Sequence, residues 1–160
     1  ATGPDGNSHD GEGAFMAAIE CNLFEGATGD FLLIRGRDAE QRLIAPRLTV
    51  RVAAERDADG WWFWQAEGRA QTVERWGRVN WFGKSRQWRD EFNFRGPRDL
   101  ERPVGEWNTI ECLAEGDRIQ IKVNGVVANE ASEVWPTRGK ILLQCEGSEI
   151  FFRRLAVFPR

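Results

Sequence analysis

The sequence predicts an all-β fold, a sandwich or jelly roll built from antiparallel strands. Short segments alternate apolar and polar residues with a period of two, and glycine-containing turns separate these segments. No stretch of about 10 to 12 residues carries the 3.6-residue apolar period of an amphipathic helix. Because no repeat of fixed period is present, a propeller or solenoid is disfavoured. We therefore expect one concave sheet to carry the functional surface.

The 160 residues are enough for one domain. Residues 1–12 are a Gly, Asp, Asn and Ser segment without periodicity, so we interpret them as a loop or tail of a truncated or processed N-terminus. The segment 13–160 is predicted to form a single jelly-roll domain.

The first predicted strand spans residues 16–24 and alternates along its length. Its apolar residues share one face: Ile19, Cys21 and Leu23. Since successive side chains of a strand point to opposite faces, Glu20 and Asn22 lie on the other one. If the apolar face packs on the core, these two polar residues line the groove.

Three further strand segments follow. A short apolar run at 30–34 is entered through a glycine turn, residues 48–52 alternate, and a turn at 57–60 precedes an aromatic run at 61–64. The tryptophans of that run are expected mainly in packing: Trp61, Trp62 and Trp64.

The C-terminal third carries the clearest hairpin pattern. Strands at 108–114 and 118–123 flank a short loop, and Asn124-Gly125 separates the second of them from a strand at 126–127. Asn-Gly between apolar runs is the strongest short-range hairpin signal. Three more strands are predicted at 140–145, 149–152 and 155–158.

Composition excludes several classes of protein. The net charge of −3 and the pI of about 5.4 argue against the basic surface that nucleic-acid binding needs. No apolar run approaches the roughly 20 residues that a membrane span requires. Cys21, Cys112 and Cys145 lie in apolar runs without a C-x-x-C pair, so we interpret them as buried thiols rather than a zinc site. Motifs of serine, cysteine or phosphoryl-transfer catalysis are also missing.

The tryptophans and arginines of residues 74–89 indicate a saccharide or glycoside ligand. A tryptophan ring can stack on the apolar face of a sugar, while arginine and asparagine hydrogen-bond its hydroxyls. The predicted substrate-binding residues are Asn22, Arg78, Asn80, Trp81 and Trp88.

Carboxylates are the candidates for acid–base chemistry. Glu20, Asp30 and Glu146 are the predicted catalytic residues, because a pair of carboxylates can perform glycoside chemistry. A divalent cation near His9 or Glu20 is the one cofactor hypothesis. The surrounding pattern fails as a calcium loop, since Met16 stands where a bidentate Glu belongs, and a flexible loop is the alternative interpretation of the His9 region.

Short segments spread over residues 13–158 occur together in the order of one known family. They lie at 19–22, 25–31, 77–81, 94–96, 105–108, 117–119, 123–125, 127, 139–144 and 146–153. Together they resemble the 3-keto-disaccharide hydrolase domain family. The first two are similar to its Glu-x-Gln strand and the Gly-Asp turn after it, and the last two look like its closing motif.

The resemblance implies a concanavalin A-like, laminin G-like jelly roll of two antiparallel sheets. It also implies cleavage of glycosides oxidised to a ketone at C3, in which a base removes the C2 proton, the aglycone leaves from C1 and water adds to the enone. By position Glu20 is the implied base, and Arg78 or a bound cation would polarise the ketone. Saccharide-directed relatives imply export, so a periplasmic or secreted location is expected.

Two departures from the family pattern stand out. Asn22 replaces the usual Gln, and the N-terminal strands that precede the match in other members are missing. Because the loss of these N-terminal strands would expose an edge of the sheet, we expect a preceding segment, a second chain or a partner to complete it. A non-catalytic, lectin-like carbohydrate-binding module and a structural domain of a larger assembly are the alternatives, because jelly rolls host all three functions.

Overall fold

A computed structural model describes residues 16–145 and 149–159 of the protein. Its strands, in chain order, are β1 (Ala18–Cys21), β2 (Phe31–Ile34), β3 (Gly36–Arg37), β4 (Leu43–Ile44), β5 (Arg47–Arg56), β6 (Trp62–Trp64), β7 (Arg69–Glu74), β8 (Gly77–Asn80), β9 (Ile110–Glu115), β10 (Arg118–Val123) and β11 (Val126–Trp135). Turns and loops make up the rest of these two ranges, which confirms the predicted all-β, jelly-roll class. None of these described residues forms a helix with the length and apolar character to cross a membrane.

Nine of these strands form one large sheet. Its order is β1-β2-β8-β6-β5-β11-β10-β9, and β7 pairs with β5 off this path. The pairs are antiparallel except for β6 and β8, which run parallel. A separate two-stranded sheet joins β3 to β4.

The large sheet curls so that its apolar face encloses the core. Phe31 on β2 and Ile121 on β10 belong to one buried cluster, although their strands stand near opposite ends of the sheet order. Leu48, Val50 and Val52 contribute to the same cluster from alternate positions of β5. Because a single flat sheet cannot bury its own apolar face, this curvature supplies the two packed layers that a β domain needs.

Two of the three tryptophans of the aromatic run pack on the core as the sequence predicts. Trp62 and Trp64 pack against the core cluster from β6, and Phe63 between them is 2% exposed. Two guanidinium groups cover the outer side of Trp62, with Arg56 at 3.5 Å and Arg69 at 4.4 Å from the ring centroid. Stacking of this kind protects a half-buried indole from water.

The prediction of three strands near the C-terminus is wrong, as far as the structure describes this segment. Positions 140–145, 149–152 and 155–158 carry no ladder, and Ile141, Phe151 and Phe158 are 71%, 70% and 83% exposed. An alternating sequence supplies the side chains of a strand, but a strand also needs a neighbour that accepts its backbone hydrogen bonds. This segment has no such neighbour among the described strands.

β1 is shorter than the strand predicted at residues 16–24. β1 ends at Cys21, so Leu23 lies beyond the ladder and is 39% exposed rather than in the core. The chain turns back immediately, since the N–H of Gly29 donates to the carbonyl of Asn22 at 2.9 Å. The pairing of β1 with β2 is therefore a hairpin closed by residues 22–30.

Candidate functional site

Three neighbouring strands place polar side chains on the face opposite the core. Glu20 on β1 pairs with Leu32 on β2, and Leu32 pairs with Arg78 on β8. Directly paired residues project to the same side of a sheet, so Glu20 and Arg78 flank the half-buried Leu32. We call this surface the β1–β2–β8 face.

A second row lies two residues along the same strands. The N–H of Asn22 donates to the carbonyl of Asp30 at 2.9 Å, which extends the pairing of β1 and β2 by one step. Asp30 precedes β2 and Asn80 ends β8, so the period of two places them on the β1–β2–β8 face with Leu32 and Arg78. Five residues predicted from the sequence are thus brought together: Glu20, Asn22, Asp30, Arg78 and Asn80.

Asp30 is the buried acid of this face. Its side chain is 0% exposed, and it accepts hydrogen bonds from the backbone N–H of Trp81 at 2.8 Å and from Lys84 Nζ at 2.7 Å. Arg78 Nε stands 3.6 Å from the same carboxylate. Burial raises the pKa of Asp30, and the two cations only partly offset it.

Lys84 links Asp30 to a second carboxylate. Its ammonium also donates to Asn80 Oδ1 at 2.8 Å, and Asn80 Nδ2 donates to Asp57 Oδ2 at 2.7 Å. Burial lowers the pKa of Lys84, opposed by the charge of Asp30. Burial thus acts against the charged form of both groups, while their mutual attraction and hydrogen bond act in favour of it.

Trp88 covers this pair from the loop that follows β8. Lys84 Nζ is 4.1 Å and the Arg78 guanidinium 5.5 Å from the ring centroid of Trp88. The indole N–H donates to the carbonyl of Glu25 at 2.9 Å, and Phe24 meets the ring edge-on at 6.0 Å. Two cations and an aromatic ring thus close one end of the face, while Trp88 itself stays half-buried.

Arg95 ties this covering loop to the hairpin of β1 and β2. Its guanidinium binds the carboxylates of Glu25 at 3.0 Å and Asp99 at 2.9 Å, with Glu101 at 3.7 Å. Glu101 in turn accepts a hydrogen bond from the N–H of Gly26 at 2.8 Å, and burial raises the pKa of Glu101. We call these four charged residues the Arg95 clamp.

Gly26 is the point at which the loop and the hairpin touch most closely. Its φ is +68°, and a Cβ there would stand 2.8 Å from the carbonyl oxygen of Phe94 and 3.1 Å from Trp88. A side chain at this position would push the covering loop away, so glycine is required for the closure.

The face also carries an amide donor that has no acceptor among the described residues, and a cavity beside Arg78. The side-chain amide nitrogen of Asn22 is buried and donates to no acceptor among the described residues. A buried donor without an acceptor is costly, so a ligand oxygen would be favoured there. Next to Arg78 lies a cavity of about 140 Å³ lined by Leu32, Leu33, Ile34, Trp61, Trp76, Gly77 and Arg78. Its two indole rings and aliphatic floor suit the apolar face of a sugar.

One predicted substrate-binding residue lies in the core, and two other candidates lie outside the described residues. Trp81 is 2% exposed and its indole N–H donates to the carbonyl of Gly26 at 3.2 Å, so it is a core residue that offers no stacking face to a ligand. Its polar sequence neighbours suggested an exposed ring, but the ring packs in a buried cluster with Val123 and Ala128. His9 and Glu146 lie outside the described residues, and within those residues no three His, Cys, Asp or Glu side chains gather as a metal site would need.

Lys84 and Asp57 are the polar residues that sequence reasoning missed. Lys84 is one of only three lysines beside nineteen arginines, and this scarcity was the one available signal. A compact ammonium fits a buried hydrogen-bonded position that a planar guanidinium would overfill.

Comparison with known proteins gives one match. The model of a family described as the 3-keto-alpha-glucoside-1,2-lyase-like domain matches residues 32–157, about four-fifths of the chain. This range includes Arg78, Lys84 and Trp88, and it begins two residues after Asp30 and twelve after Glu20. No curated protein and no solved structure matches the chain.

Proposed function

The chain belongs to the 3-keto-alpha-glucoside-1,2-lyase-like domain family, and from this premise we propose that it cleaves 3-keto-glycosides on the β1–β2–β8 face. The observation that carries the proposal is the row Glu20, Leu32, Arg78, which puts a carboxylate and a guanidinium on either side of an apolar floor. Next to this row stands a buried amide donor without an acceptor among the described residues.

The chemistry needs one base and one positive group. A ketone at C3 acidifies the hydrogen on C2, so a carboxylate can remove it and leave an enolate. The electron pair then forms the C1–C2 double bond as the C1–O bond breaks, and the aglycone oxygen takes a proton. Addition of water across the resulting enone gives the free 3-keto sugar. Stabilising the enolate oxygen contributes the largest single effect in reactions of this type.

Glu20 is proposed as the base. It is half-buried on β1, where a sugar resting on Leu32 would present its ring hydrogens to the carboxylate. Neighbouring strands lie about 4.8 Å apart, so Glu20 and Arg78 start from backbones about 10 Å apart on either side of Leu32. That span matches one pyranose ring with a side chain at each edge.

Arg78 is proposed to bind the C3 oxygen. Its side chain is 22% exposed, so a ligand can reach it, while Asp30 at 3.6 Å and the Trp88 ring at 5.5 Å fix its direction. Asp30 and Lys84 are positioning residues in this scheme, because both are buried beneath Arg78 and Trp88. Asn22 would donate its unused amide hydrogen to a sugar oxygen.

The proposal is tested with a 3-keto-α-glucoside that carries a nitrophenyl aglycone and deuterium at C2. Wild-type protein is expected to release nitrophenol with a primary isotope effect. Glu20→Gln is expected to lower kcat by about 10² to 10⁴, the usual contribution of a general base. Glu67→Gln is the matched control, because Glu67 is exposed in the turn between β6 and β7.

Three outcomes would count against the proposal in different ways. Full turnover by Glu20→Gln would remove Glu20 as the base while leaving the reaction. Turnover without an isotope effect would mean that removal of the C2 hydrogen does not limit the rate. Saturable sugar binding without any turnover would instead establish a lectin-like binding module.

A further inference from the structure

A β-bulge near the end of β11 turns an indole ring away from the core. Ser132 pairs with Thr49 of β5. The next pair along the two strands is Trp135 with Arg47, so β11 carries one residue more than β5 in this interval. In a regular strand Trp135 would point to the face opposite that of Ser132, which is the core. The extra residue instead places Val134 in the core and leaves Trp135 45% exposed on the outer face.

Polar side chains from β5 and β7 lie beside this ring. Arg47 pairs with Trp135 on one side and with Glu74 of β7 on the other. Directly paired residues project to the same side of a sheet, so a carboxylate, a guanidinium and an indole form one row. The adjacent row holds Thr49 and Thr72, whose hydroxyl oxygens lie 3.0 Å apart. Both rows are on the face opposite the core, because the β5 residue between them is buried.

Two further carboxylates border these rows. Glu133 in the bulge has a φ of +51°, and its Oε2 accepts a hydrogen bond from the Thr49 hydroxyl at 2.7 Å. Asp117, in the turn between β9 and β10, is held beside the end of β11, because its carbonyl accepts a hydrogen bond from the N–H of Val134 at 2.9 Å. The rows and these carboxylates line a cavity of about 690 Å³, within the size range of small-molecule sites. We call six of its lining residues the bulge site: Arg47, Thr72, Glu74, Asp117, Glu133 and Trp135.

The charged groups of the bulge site are not paired with one another. Arg47, Glu74 and Asp117 take part in none of the ion pairs among the described residues. Three carboxylates disfavour an anionic ligand, and the guanidinium in the middle of the row disfavours a cationic one. A neutral polyol suits both kinds of group, because each hydroxyl can donate a hydrogen bond to a carboxylate or accept one from a guanidinium.

We propose that the bulge site binds one residue of a neutral saccharide, with the sugar ring stacked on Trp135. Neighbouring strands lie about 4.8 Å apart, so Glu74 and Trp135 start from backbones about 10 Å apart on either side of Arg47. That span accepts a single pyranose, which rests its apolar face on the indole and turns its hydroxyls to the guanidinium and the carboxylate. No residue of the β1–β2–β8 face takes part, so this inference does not depend on the proposed glycoside chemistry.

Native affinity electrophoresis of the full chain tests the proposal. The gels contain glycogen, mixed-linkage β-glucan, galactomannan or no polysaccharide, and each variant is compared with its own mobility in the polysaccharide-free gel. The wild type is expected to be retarded by at least one of these neutral polysaccharides. Trp135→Ala should raise the apparent Kd for that polysaccharide about 10-fold, and Glu74→Gln about 2- to 10-fold. Trp107→Ala is the matched control, because Trp107 is 50% exposed outside the bulge site, and it should be retarded like the wild type.

Four results would overturn the proposal. They are the absence of retardation in every neutral gel, retardation that both bulge-site variants leave unchanged, stronger retardation by polygalacturonate, and retardation that Glu20→Gln abolishes, which would place the binding on the β1–β2–β8 face. Because Glu74 is exposed, Glu74→Gln keeps the test decisive even if Trp135→Ala does not fold. Release of nitrophenol from the 3-keto-glucoside is measured separately, so the failure of one proposal is distinguished from the failure of the other.

Discussion

Asp30 and Arg95 each gather three charged or polar partners, but the two residues lie in opposite surroundings. Asp30 is 0% exposed, and burial raises its pKa although Lys84 and Arg78 stand beside it. The side chain of Arg95 is 27% exposed. Burial acts against its charge, yet the carboxylates of the Arg95 clamp outweigh burial and raise the pKa of Arg95.

The difference shows that access to water, rather than the number of partners, decides what a charged cluster does. Burial raises the pKa of Asp30 and lowers the pKa of Lys84, and shifts of this kind are common at functional sites. The Arg95 clamp keeps its charges fixed, which suits a fastening between two segments. The predictions below separate these roles.

The largest effect is expected from Lys84→Met. It leaves the Asp30 carboxylate buried without its ammonium partner, and breaking a buried pair costs about 3 to 5 kcal/mol. Urea denaturation of the wild type and the variant measures the loss. The double variant Asp30→Asn with Lys84→Met should recover part of it, since both charges are then gone. Lys140→Met, at an exposed position, is the control, and an equal loss there would contradict the assignment.

The second prediction concerns pH. Because the pKa of Asp30 is raised above its ordinary 3.8, the folded protein keeps a proton that the unfolded chain has released. The free energy of unfolding of the wild type, relative to that of Asp30→Asn, should therefore be greatest at about pH 4. It should fall as the pH rises through the raised pKa of Asp30. The lowered pKa of Lys84 acts in the opposite sense at alkaline pH, so the measurement stays at or below pH 7. If the stability of the wild type relative to Asp30→Asn instead increased with pH in this range, the pKa of Asp30 would be lowered, not raised, by folding.

A smaller effect is expected from Arg95→Gln. The variant loses charge-assisted hydrogen bonds in a clamp that is partly open to solvent, so a loss of about 1 to 2 kcal/mol is expected. Hydrogen exchange should rise in the covering loop at 84–102 more than in β10 and β11. A uniform rise across the protein would mean that the clamp supports the whole fold rather than this loop.

The smallest effect is expected from Arg42→Gln. Arg42 binds Asp38 at 2.7 Å and Glu40 at 3.0 Å, but its side chain is 74% exposed. Water and salt screen such a pair, so no measurable change in the unfolding midpoint is expected. A clear destabilisation would show that exposure does not separate the two kinds of cluster.

Local pattern predicted the parts of the fold that depend on neighbours in sequence. Alternation along β1 placed Glu20 opposite Cys21, and Asn124-Gly125 placed the hairpin of β10 and β11. The burial of Lys84 could not be predicted, because its partner Asp30 lies 54 positions away and only the sheet brings them together. The prediction of strands in the exposed C-terminal segment was wrong for the same reason, because the sequence of a strand does not specify which strand it pairs with.

The arrangement of β1, β2 and β8 also sets the order in which the site can assemble. β1 and β2 are joined by the loop at 22–30 and can pair early, whereas Leu32 pairs with Arg78, which lies more than 40 residues further along the chain. Distant pairings form slowly, because the chain must lose entropy before the contacts are made. About half of the given sequence must therefore be synthesised before the β1–β2–β8 face can form, and we expect this face to form late during refolding.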